Sequence, residues 1–303
     1  MMQSAAMYEQ IRSTGLVRRL LELARDEDLG PAHRDLTSEL FCEGGATVRC
    51  AVVARHDCVV CGLGAGADVI EVFGCQDDVH WTAMARDGDS VRRGEHVALI
   101  EGLRRGVLGV ERTLLNLVGR LSGVATQTSR YLDAMGPGVR SVLCDTRKTT
   151  PGMRVLEKYA VVCGGGVSHR MGLYDAVLVK DNHLAGVPLE ALAERIEQMA
   201  RRARAEPGCA FVEVEVDGPA QFERLCEVGP GLVQIALLDN FAVADLRAAV
   251  EMRDRRCPGL LIEASGGVKL QTIRAVAQTG VDRISVGALT HSAVSADFGL
   301  DAL

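Results

Sequence analysis

Residues 139–152 read VRSVLCDTRKTTPG, an apolar strand-like run followed at once by a cationic loop. A second cationic cluster, GGGVSHR at 164–170, comes soon after, and a third, KDNH at 180–183, ends another apolar run. Because the formal net charge of the chain is −6, an anion is attracted only where Arg and Lys are concentrated locally. The clusters therefore predict a pocket for a small, heavily anionic substrate at strand ends.

Strand-like and helical runs alternate through the second part of the chain. An apolar stripe from Val107 to Val124 predicts a long helix that ends near Met135, before a Gly-Pro-Gly stop. The predicted strand cores are 139–144, 176–180, 210–216, 232–238, 260–263 and 283–286, with helices such as 188–205, 219–226 and 270–278 between them. Alternation implies a parallel sheet. Polar residues at every strand end favour a closed or nearly closed barrel over an open doubly wound sheet, which keeps its polar residues near one switch point.

The part of the chain before Gly106 has a different pattern. A helix is predicted over 7–26 and another over 64–73, with strands over 46–53, 56–62, 79–85 and 96–100. This strand-rich pattern predicts an α+β layer rather than a barrel.

Composition excludes several classes of protein. The chain has 48% apolar and 24% charged residues, a globular balance, and a pI of about 5.7, which argues against a nucleic-acid partner. No apolar run approaches the ~20 residues of a membrane span, and the N-terminus lacks the pattern of a secretory signal. The ten cysteines are scattered, and the close pair Cys58 and Cys61 lacks partners for a zinc site. We expect reduced cysteines in a cytoplasmic protein.

The predicted strand ends carry three kinds of chemistry. Cations that suit carboxylates and phosphates come first, in the order Arg147, Lys148, His169, Arg170 and Lys180. Two carboxylates, Glu215 and Asp239, follow and suit Mg²⁺ or ribose hydroxyls, although a structural ion pair is the alternative for each. Glycine-containing turns at Ser265, Gly266 and Gly287 come last and suit a phosphate. Glu213 and Glu215 share one face of a regular strand, so the pattern does not choose between them.

Taken together, the motifs resemble those of the quinolinate phosphoribosyltransferase family, and they extend over nearly the whole chain. They are EDLG at 27–30, DLT at 35–37, ERTLLN at 111–116, DTRKTTPG at 145–152, EKYA at 157–160, GGG at 164–166 with HRMGL at 169–173, KDNH at 180–183, EVEV at 213–216, LDN at 238–240, SGG at 265–267 and VGALTH at 286–291. Ser168 departs from the resemblance, because that family usually has Asn there.

The resemblance implies a fold, a reaction and an assembly. The fold is an N-terminal α/β sandwich over 1–115, joined by the C-terminal tail at about 293–303, and an incomplete parallel α/β barrel over 116–292. The reaction converts quinolinate and phosphoribosyl pyrophosphate to nicotinate mononucleotide, pyrophosphate and CO2 with Mg²⁺, in de novo NAD biosynthesis. The assembly is a homodimer, or a higher homo-oligomer, in which Arg112 completes the neighbour's site.

The resemblance also implies roles for individual residues. Quinolinate is bound by Arg147, His169, Arg170 and Lys180, with Arg112 from the neighbouring subunit. Phosphoribosyl pyrophosphate is bound by Lys148, Glu215, Asp239, Ser265, Gly266, Gly287 and His291. Lys148, Lys180, Glu215 and Asp239 are the predicted catalytic residues, and Glu215 and Asp239 the predicted metal ligands.

Two other functions remain open at this point. One is a non-catalytic nucleotide or anion sensor on the same fold, and the presence of both Glu215 and Asp239 favours an enzyme over it. The other is a phosphoribosyltransferase for a different carboxylated heterocycle, such as a molybdenum-associated paralogue. That paralogue generally lacks the KDNH element, which this chain keeps.

Overall fold

The computed structural model describes residues 2–303. Met1, with which the predicted N-terminal domain begins, lies outside them. The helices are α1 (Met2–Ser13), α2 (Leu16–Leu29), α3 (Leu36–Phe41), α4 (Gly66–Val72), α5 (Arg104–Met135), α6 (Arg154–Cys163), α7 (Asp181–Leu184), α8 (Leu192–Ala205), α9 (Pro219–Leu225), α10 (Val243–Arg256), α11 (Ile273–Ala277) and α12 (Ala288–His291). The strands are β1 (Thr47–Ala54), β2 (Cys58–Val59), β3 (Val79–Ala83), β4 (Ser90–Val91), β5 (His96–Leu103), β6 (Val142–Cys144), β7 (Val177–Val179), β8 (Val212–Val216), β9 (Ile235–Asp239), β10 (Leu261–Ser265), β11 (Arg283–Ser285) and β12 (Phe298–Ala302).

Contacts divide the described residues into two compact units. Unit 1 comprises 2–129, 149–165 and 289–303, and unit 2 comprises 130–148 and 166–288. The domains predicted from the sequence, 1–115 with the tail and 116–292, stay a prediction, because spatial compactness does not test which segments fold independently.

Unit 1 contains a four-stranded antiparallel sheet in the order β12-β1-β5-β3. Its inner face forms a core in which Val52, Ala98 and Phe298 pack with Leu115 and Val118 of α5. The last strand, β12, therefore brings the end of the chain into this core. Three of the strands, β1, β3 and β5, overlap strands predicted from the sequence, whereas β12 was not predicted as a strand.

The N-terminal helix differs from its prediction. The helix predicted over 7–26 is two helices, α1 and α2, because Gly15 between them has a φ of +74°. That left-handed conformation is incompatible with a continuing right-handed helix. The strand predicted over 56–62 is also shorter, and only Cys58–Val59 pairs with β4.

Unit 2 contains a six-stranded parallel sheet in the order β6-β11-β10-β9-β8-β7. Each of the six predicted strand cores overlaps one of these strands, and β9 and β10 extend one and two residues beyond theirs. In the described residues no ladder joins the two outer strands, β6 and β7, so the barrel is incomplete, as predicted. Helices α8 to α11 follow the strands in alternation, and each contacts the next along the series. The carboxyl ends of the strands therefore lie at one end of this unit.

All ten cysteines carry free thiols. Among the described residues, no helix combines the length and the apolar character that a membrane crossing needs.

Candidate active site

A lysine and a glutamate pair at the carboxyl ends of β7 and β8. Lys180 directly follows β7, and its Nζ lies 2.5 Å from Oε2 of Glu215. The Glu215 side chain is only 9% exposed, whereas that of Lys180 is 46% exposed. The ammonium group of Lys180 is therefore accessible to a ligand, whereas the carboxylate of Glu215 is largely buried.

Three carboxylates gather around the Glu215 end of this pair. Oxygens of Glu215, Asp217 and Asp239 lie within 4.8 Å of one another. Asp239 ends β9 and accepts a hydrogen bond from Nδ2 of Asn240 at 2.6 Å. Asp217 was not predicted as a site residue, although its position two residues after Glu215 was a usable signal. A cluster of hard oxygen donors is the ligand set that Mg²⁺ prefers.

The loop after β10 approaches the backbone after β9 very closely. Asn240 donates its backbone N–H to the carbonyl of Ser265 at 2.8 Å. Gly266 has a φ of +89°, and a Cβ there would lie 2.3 Å from Oδ1 of Asn240. Any side chain at this position would strain the backbone and collide with Asn240, so glycine is required. Gly287, which also lies at the carboxyl end of the sheet, follows β11.

Two arginines in unit 2 repel one another. Burial lowers the pKa of Arg170, and the positive charge of Arg147 lowers it further. Nε of Arg147 is buried without a hydrogen-bond partner among the described residues, while Nη1 of Arg170 donates to the carbonyl of Ala176 at 3.2 Å. Like charges held together with an unused donor are arranged to receive an anion. Lys148, next to Arg147, is exposed.

His169 lies in a buried charged cluster. Its Nε2 is 3.0 Å from Oε2 of Glu213 and 3.3 Å from Oε1 of Glu263, and Arg283 donates from Nε to Oε2 of Glu263 at 2.6 Å. The backbone N–H of His169 donates to Oδ1 of Asp145 at 2.9 Å. We call His169, Glu213, Glu263 and Arg283 the buried cluster. Glu263 and Arg283 were not predicted as site residues, although a charge inside an otherwise apolar strand was a signal, because buried charges need partners. Asp145 stands in the DTRKTTPG motif but was given no role.

Protonation of the buried cluster follows from these contacts. Burial lowers the pKa of His169, but hydrogen bonds to Glu213 and Glu263 outweigh it and raise the pKa to about 9. Burial and the negative Glu263 raise the pKa of Glu213. Burial also acts to raise the pKa of Glu263, but His169 and Arg283 hold it below its usual value.

The raised pKa values of His169 and Glu213 mean that these two residues together hold one proton more than they would in water. The backbone N–H of Arg170 donates to Nδ1 of His169 at 2.7 Å, which requires a lone pair on Nδ1 and conflicts with a fully protonated ring. Because of this contact, we assign the extra proton to the His169–Glu213 pair as a whole rather than to the ring alone.

The remaining two predicted site residues belong to unit 1. Arg112 on α5 has a side chain 63% exposed and forms an ion pair with Glu111. His291 ends α12, is exposed, and has its Nδ1 2.8 Å from Oγ of Ser292. The predicted roles of Arg112 and His291 toward a ligand stay predictions.

An incomplete parallel α/β barrel with cations, carboxylates and a tight glycine loop at its strand ends defines an enzyme of the barrel class that binds anionic substrates. Two family models match the sequence: the N-terminal domain of quinolinate phosphoribosyl transferase over residues 35–122, and its C-terminal domain over residues 124–301. The chain belongs to the quinolinate phosphoribosyl transferase family.

Individual relatives agree with the family match. The chain is 42% identical over 268 residues to the nicotinate-nucleotide pyrophosphorylase (carboxylating) of Mycobacterium leprae, covering 88% of this chain and 90% of the relative. It is 36% identical to a probable enzyme of the same name from Bacillus subtilis, covering 94% and 93% of the two chains. A solved structure of the nicotinate-nucleotide pyrophosphorylase from Francisella tularensis superposes with a TM-score of 0.84 at 30% identity, covering 95% of this chain and 96% of that one.

Proposed function

We propose that the chain transfers the phosphoribosyl group of phosphoribosyl pyrophosphate to quinolinate, with release of pyrophosphate and CO2, and forms nicotinate mononucleotide for NAD biosynthesis. The observation that carries this proposal is the Lys180–Glu215 pair beside Asp217 and Asp239 at the carboxyl ends of the parallel strands. It supplies a cation and several oxygen ligands within one small region, as an anionic sugar phosphate requires.

The dicarboxylate of quinolinate is assigned to the cations of unit 2. Arg147 has an unused buried donor, and its repulsion of Arg170 is relieved when a carboxylate binds between the charges. Lys180 supplies a third cation. His169 has one ring nitrogen facing Glu213 and Glu263 and the other accepting from Arg170, so we assign it to orienting Arg170 as well as to the predicted substrate contact.

The transfer follows from these charges. The ring nitrogen of quinolinate attacks the anomeric carbon, and the bond to pyrophosphate breaks with its electrons going to the leaving anion. Positive charge develops on the ribose in the transition state, and the carboxylates of Glu215 and Asp239 favour it. The new pyridinium is electron-poor, so the carboxylate beside its nitrogen leaves as CO2, and the ring carbon takes up one proton.

The carboxylate cluster fits a magnesium ion. Glu215 and Asp239, the predicted ligands, and Asp217 offer hard oxygen atoms close enough to share one cation. Bound there, Mg²⁺ supplies charge neutralisation for the departing pyrophosphate. Lys180 and Lys148 add positive charge, and the turns at Ser265, Gly266 and Gly287 offer backbone N–H groups to phosphate oxygens.

The assembly and the location belong to the same proposal. We place Arg112 in the site of a neighbouring subunit, because it projects from α5 with a largely exposed guanidinium. A homodimer, or a higher homo-oligomer built from it, is the active form. Ten free thiols agree with a reducing cytoplasm.

A substrate panel tests the proposed function. Purified protein with phosphoribosyl pyrophosphate and Mg²⁺ should release pyrophosphate when quinolinate is added and not when nicotinate is added, because nicotinate lacks the second carboxylate. Turnover of a different carboxylated heterocycle in place of quinolinate would identify the alternative transferase. Binding of phosphoribosyl pyrophosphate without any turnover would identify a sensor.

A further inference from the structure

A buried ion pair in unit 1 joins two helices. Arg120 of α5 donates from Nε at 3.0 Å and from Nη2 at 2.6 Å to one oxygen, Oε1, of Glu157 in α6. The Glu157 side chain is fully buried, and that of Arg120 is 20% exposed. Removing such a pair from water is costly, so it is stable only where further hydrogen bonds satisfy both partners.

Glu157 satisfies its other acceptor positions with one residue of the cationic loop. Its Oε2 accepts the backbone N–H of Thr150 at 3.0 Å, and its Oε1 accepts the Thr150 hydroxyl at 2.8 Å. Thr150 lies two residues after Lys148 in the DTRKTTPG stretch. The carboxylate therefore fixes both the backbone and the side chain of Thr150 at the end of this loop.

Arg120 satisfies its other donors with the segment that carries His291. It donates from Nη2 to the carbonyl of Thr290 at 2.7 Å and from Nη1 to the carbonyl of Ala293 at 2.8 Å. Farther along, Ala296 donates its N–H to the carbonyl of Gly119 at 2.8 Å. A Cβ at Gly119 would lie 2.6 Å from the Ala296 carbonyl oxygen, so the segment lies directly on the backbone of α5.

We propose that Arg120 and Glu157 are positioning residues for phosphoribosyl pyrophosphate, an inference that rests on the proposed function. Neither touches the substrate. They hold Thr150, two residues after Lys148, and Thr290, directly before His291; Lys148 and His291 are predicted to bind this substrate. One ion pair thereby sets the positions of two separate phosphate-binding segments.

Thr150→Val tests the link at an exposed position. It removes the hydroxyl bonded to Glu157 and keeps the shape of the side chain. The KM for phosphoribosyl pyrophosphate should rise by about tenfold, since one charge-assisted hydrogen bond is lost. The KM for quinolinate should rise less, because only Arg147 of its binding cations lies in this loop, whereas Arg170 and Lys180 lie in other segments. Thr150→Ser restores the hydroxyl, so its KM for phosphoribosyl pyrophosphate should be within about twofold of that of the unsubstituted enzyme.

Arg120→Lys and Glu157→Gln test the pair itself. Each should raise the KM for phosphoribosyl pyrophosphate selectively, and each combined with Thr150→Val should be less than additive, because the residues act through one contact. The matched control is Arg253→Lys. Arg253 is also buried and donates to Asp282 at 2.6 Å and to the Leu260 carbonyl at 3.0 Å, at the amino ends of the strands. This control should lower thermal stability without changing either KM.

The outcomes separate this inference from the proposed function. If the unsubstituted protein shows no quinolinate-dependent turnover, the proposed function is wrong, and so is the inference that rests on it. An active enzyme in which folded Thr150→Val keeps its KM for phosphoribosyl pyrophosphate within about twofold overturns the inference alone. If the two pair variants do not fold, Thr150→Val and Thr150→Ser decide the question. If Thr150→Ser does not restore the KM for phosphoribosyl pyrophosphate, the positioning inference is also wrong.

Discussion

The buried cluster makes the stability of this protein depend on pH in a way that one substitution should weaken. The contacts of His169 with Glu213 and Glu263 raise the pKa of the histidine to about 9, from an ordinary value of 6.5. The folded chain therefore binds one proton more than the unfolded chain between these two values. We expect stability to be complete below about pH 6.5 and to be lost as the pH rises through about 9.

The magnitude follows from proton linkage. Each pKa unit corresponds to about 1.36 kcal/mol, so the free energy of unfolding should fall by roughly 2 kcal/mol between about pH 7 and about pH 8.5. The same fall is expected wherever the extra proton lies within the His169–Glu213 pair, because the net charge of the pair is unchanged. Glu213→Gln supplies a neutral side chain of the same shape and removes one of the two carboxylates that raise the pKa of His169.

The assay is urea unfolding of the original protein and of Glu213→Gln across this pH range. The free energy of unfolding of the variant should fall by about 1 kcal/mol or less over the same range, because only Glu263 still raises the pKa of His169. Glu223→Gln is the matched control, because Glu223 is an exposed carboxylate paired with Arg256, and it should keep the original pH dependence. A Glu213→Gln variant with the same pH dependence as the original protein would refute the reasoning.

Three other predictions concern the site. Lys180→Ala and Arg147→Ala should each lower kcat/KM by roughly a thousandfold while leaving the thermal midpoint close to the original, because strand-end cations serve the ligand rather than the core; near-original kcat/KM in either variant would exclude its assigned role. EDTA should abolish activity and Mg²⁺ should restore it, whereas Glu215→Gln and Asp239→Asn should need more Mg²⁺ for half-maximal rate; full activity in metal-free buffer would contradict the metal assignment. Arg112→Ala and Lys180→Ala subunits, each inactive alone, should regain activity when mixed and exchanged, because one site of the heterodimer then carries neither defect; confirmed exchange without activity would place Arg112 in its own subunit's site or in a structural role.

The fold could be predicted largely because its signals are local. The six strands of the parallel sheet overlap the strand cores predicted from the sequence, and α5 carries a continuous apolar stripe. The break at Gly15 was missed because a glycine inside a helical pattern indicates a helix end only when it takes a left-handed conformation. That conformation depends on how α1 and α2 pack, which the local pattern does not contain.

The site could be predicted only where its residues follow strands. Lys180, Glu215 and Asp239 lie at strand ends, and the structure brings Lys180 to Glu215 and Glu215 to Asp239. The partners of His169 lie 44 and 94 residues farther along the chain, at Glu213 and Glu263. The register of neighbouring strands, not the spacing of residues in the sequence, brings these side chains into contact. A pattern within one segment therefore does not reveal the contacts.

The central claim is decarboxylating transfer, and one labelling measurement tests it most directly. Quinolinate labelled in the carboxylate beside the ring nitrogen is incubated with the protein, phosphoribosyl pyrophosphate and Mg²⁺, and labelled CO2, pyrophosphate and nicotinate mononucleotide are quantified together. The account predicts equal amounts of all three products, and none when phosphoribosyl pyrophosphate is left out. Pyrophosphate released while the label stays on the ring, or no release of either product by folded protein, would contradict it.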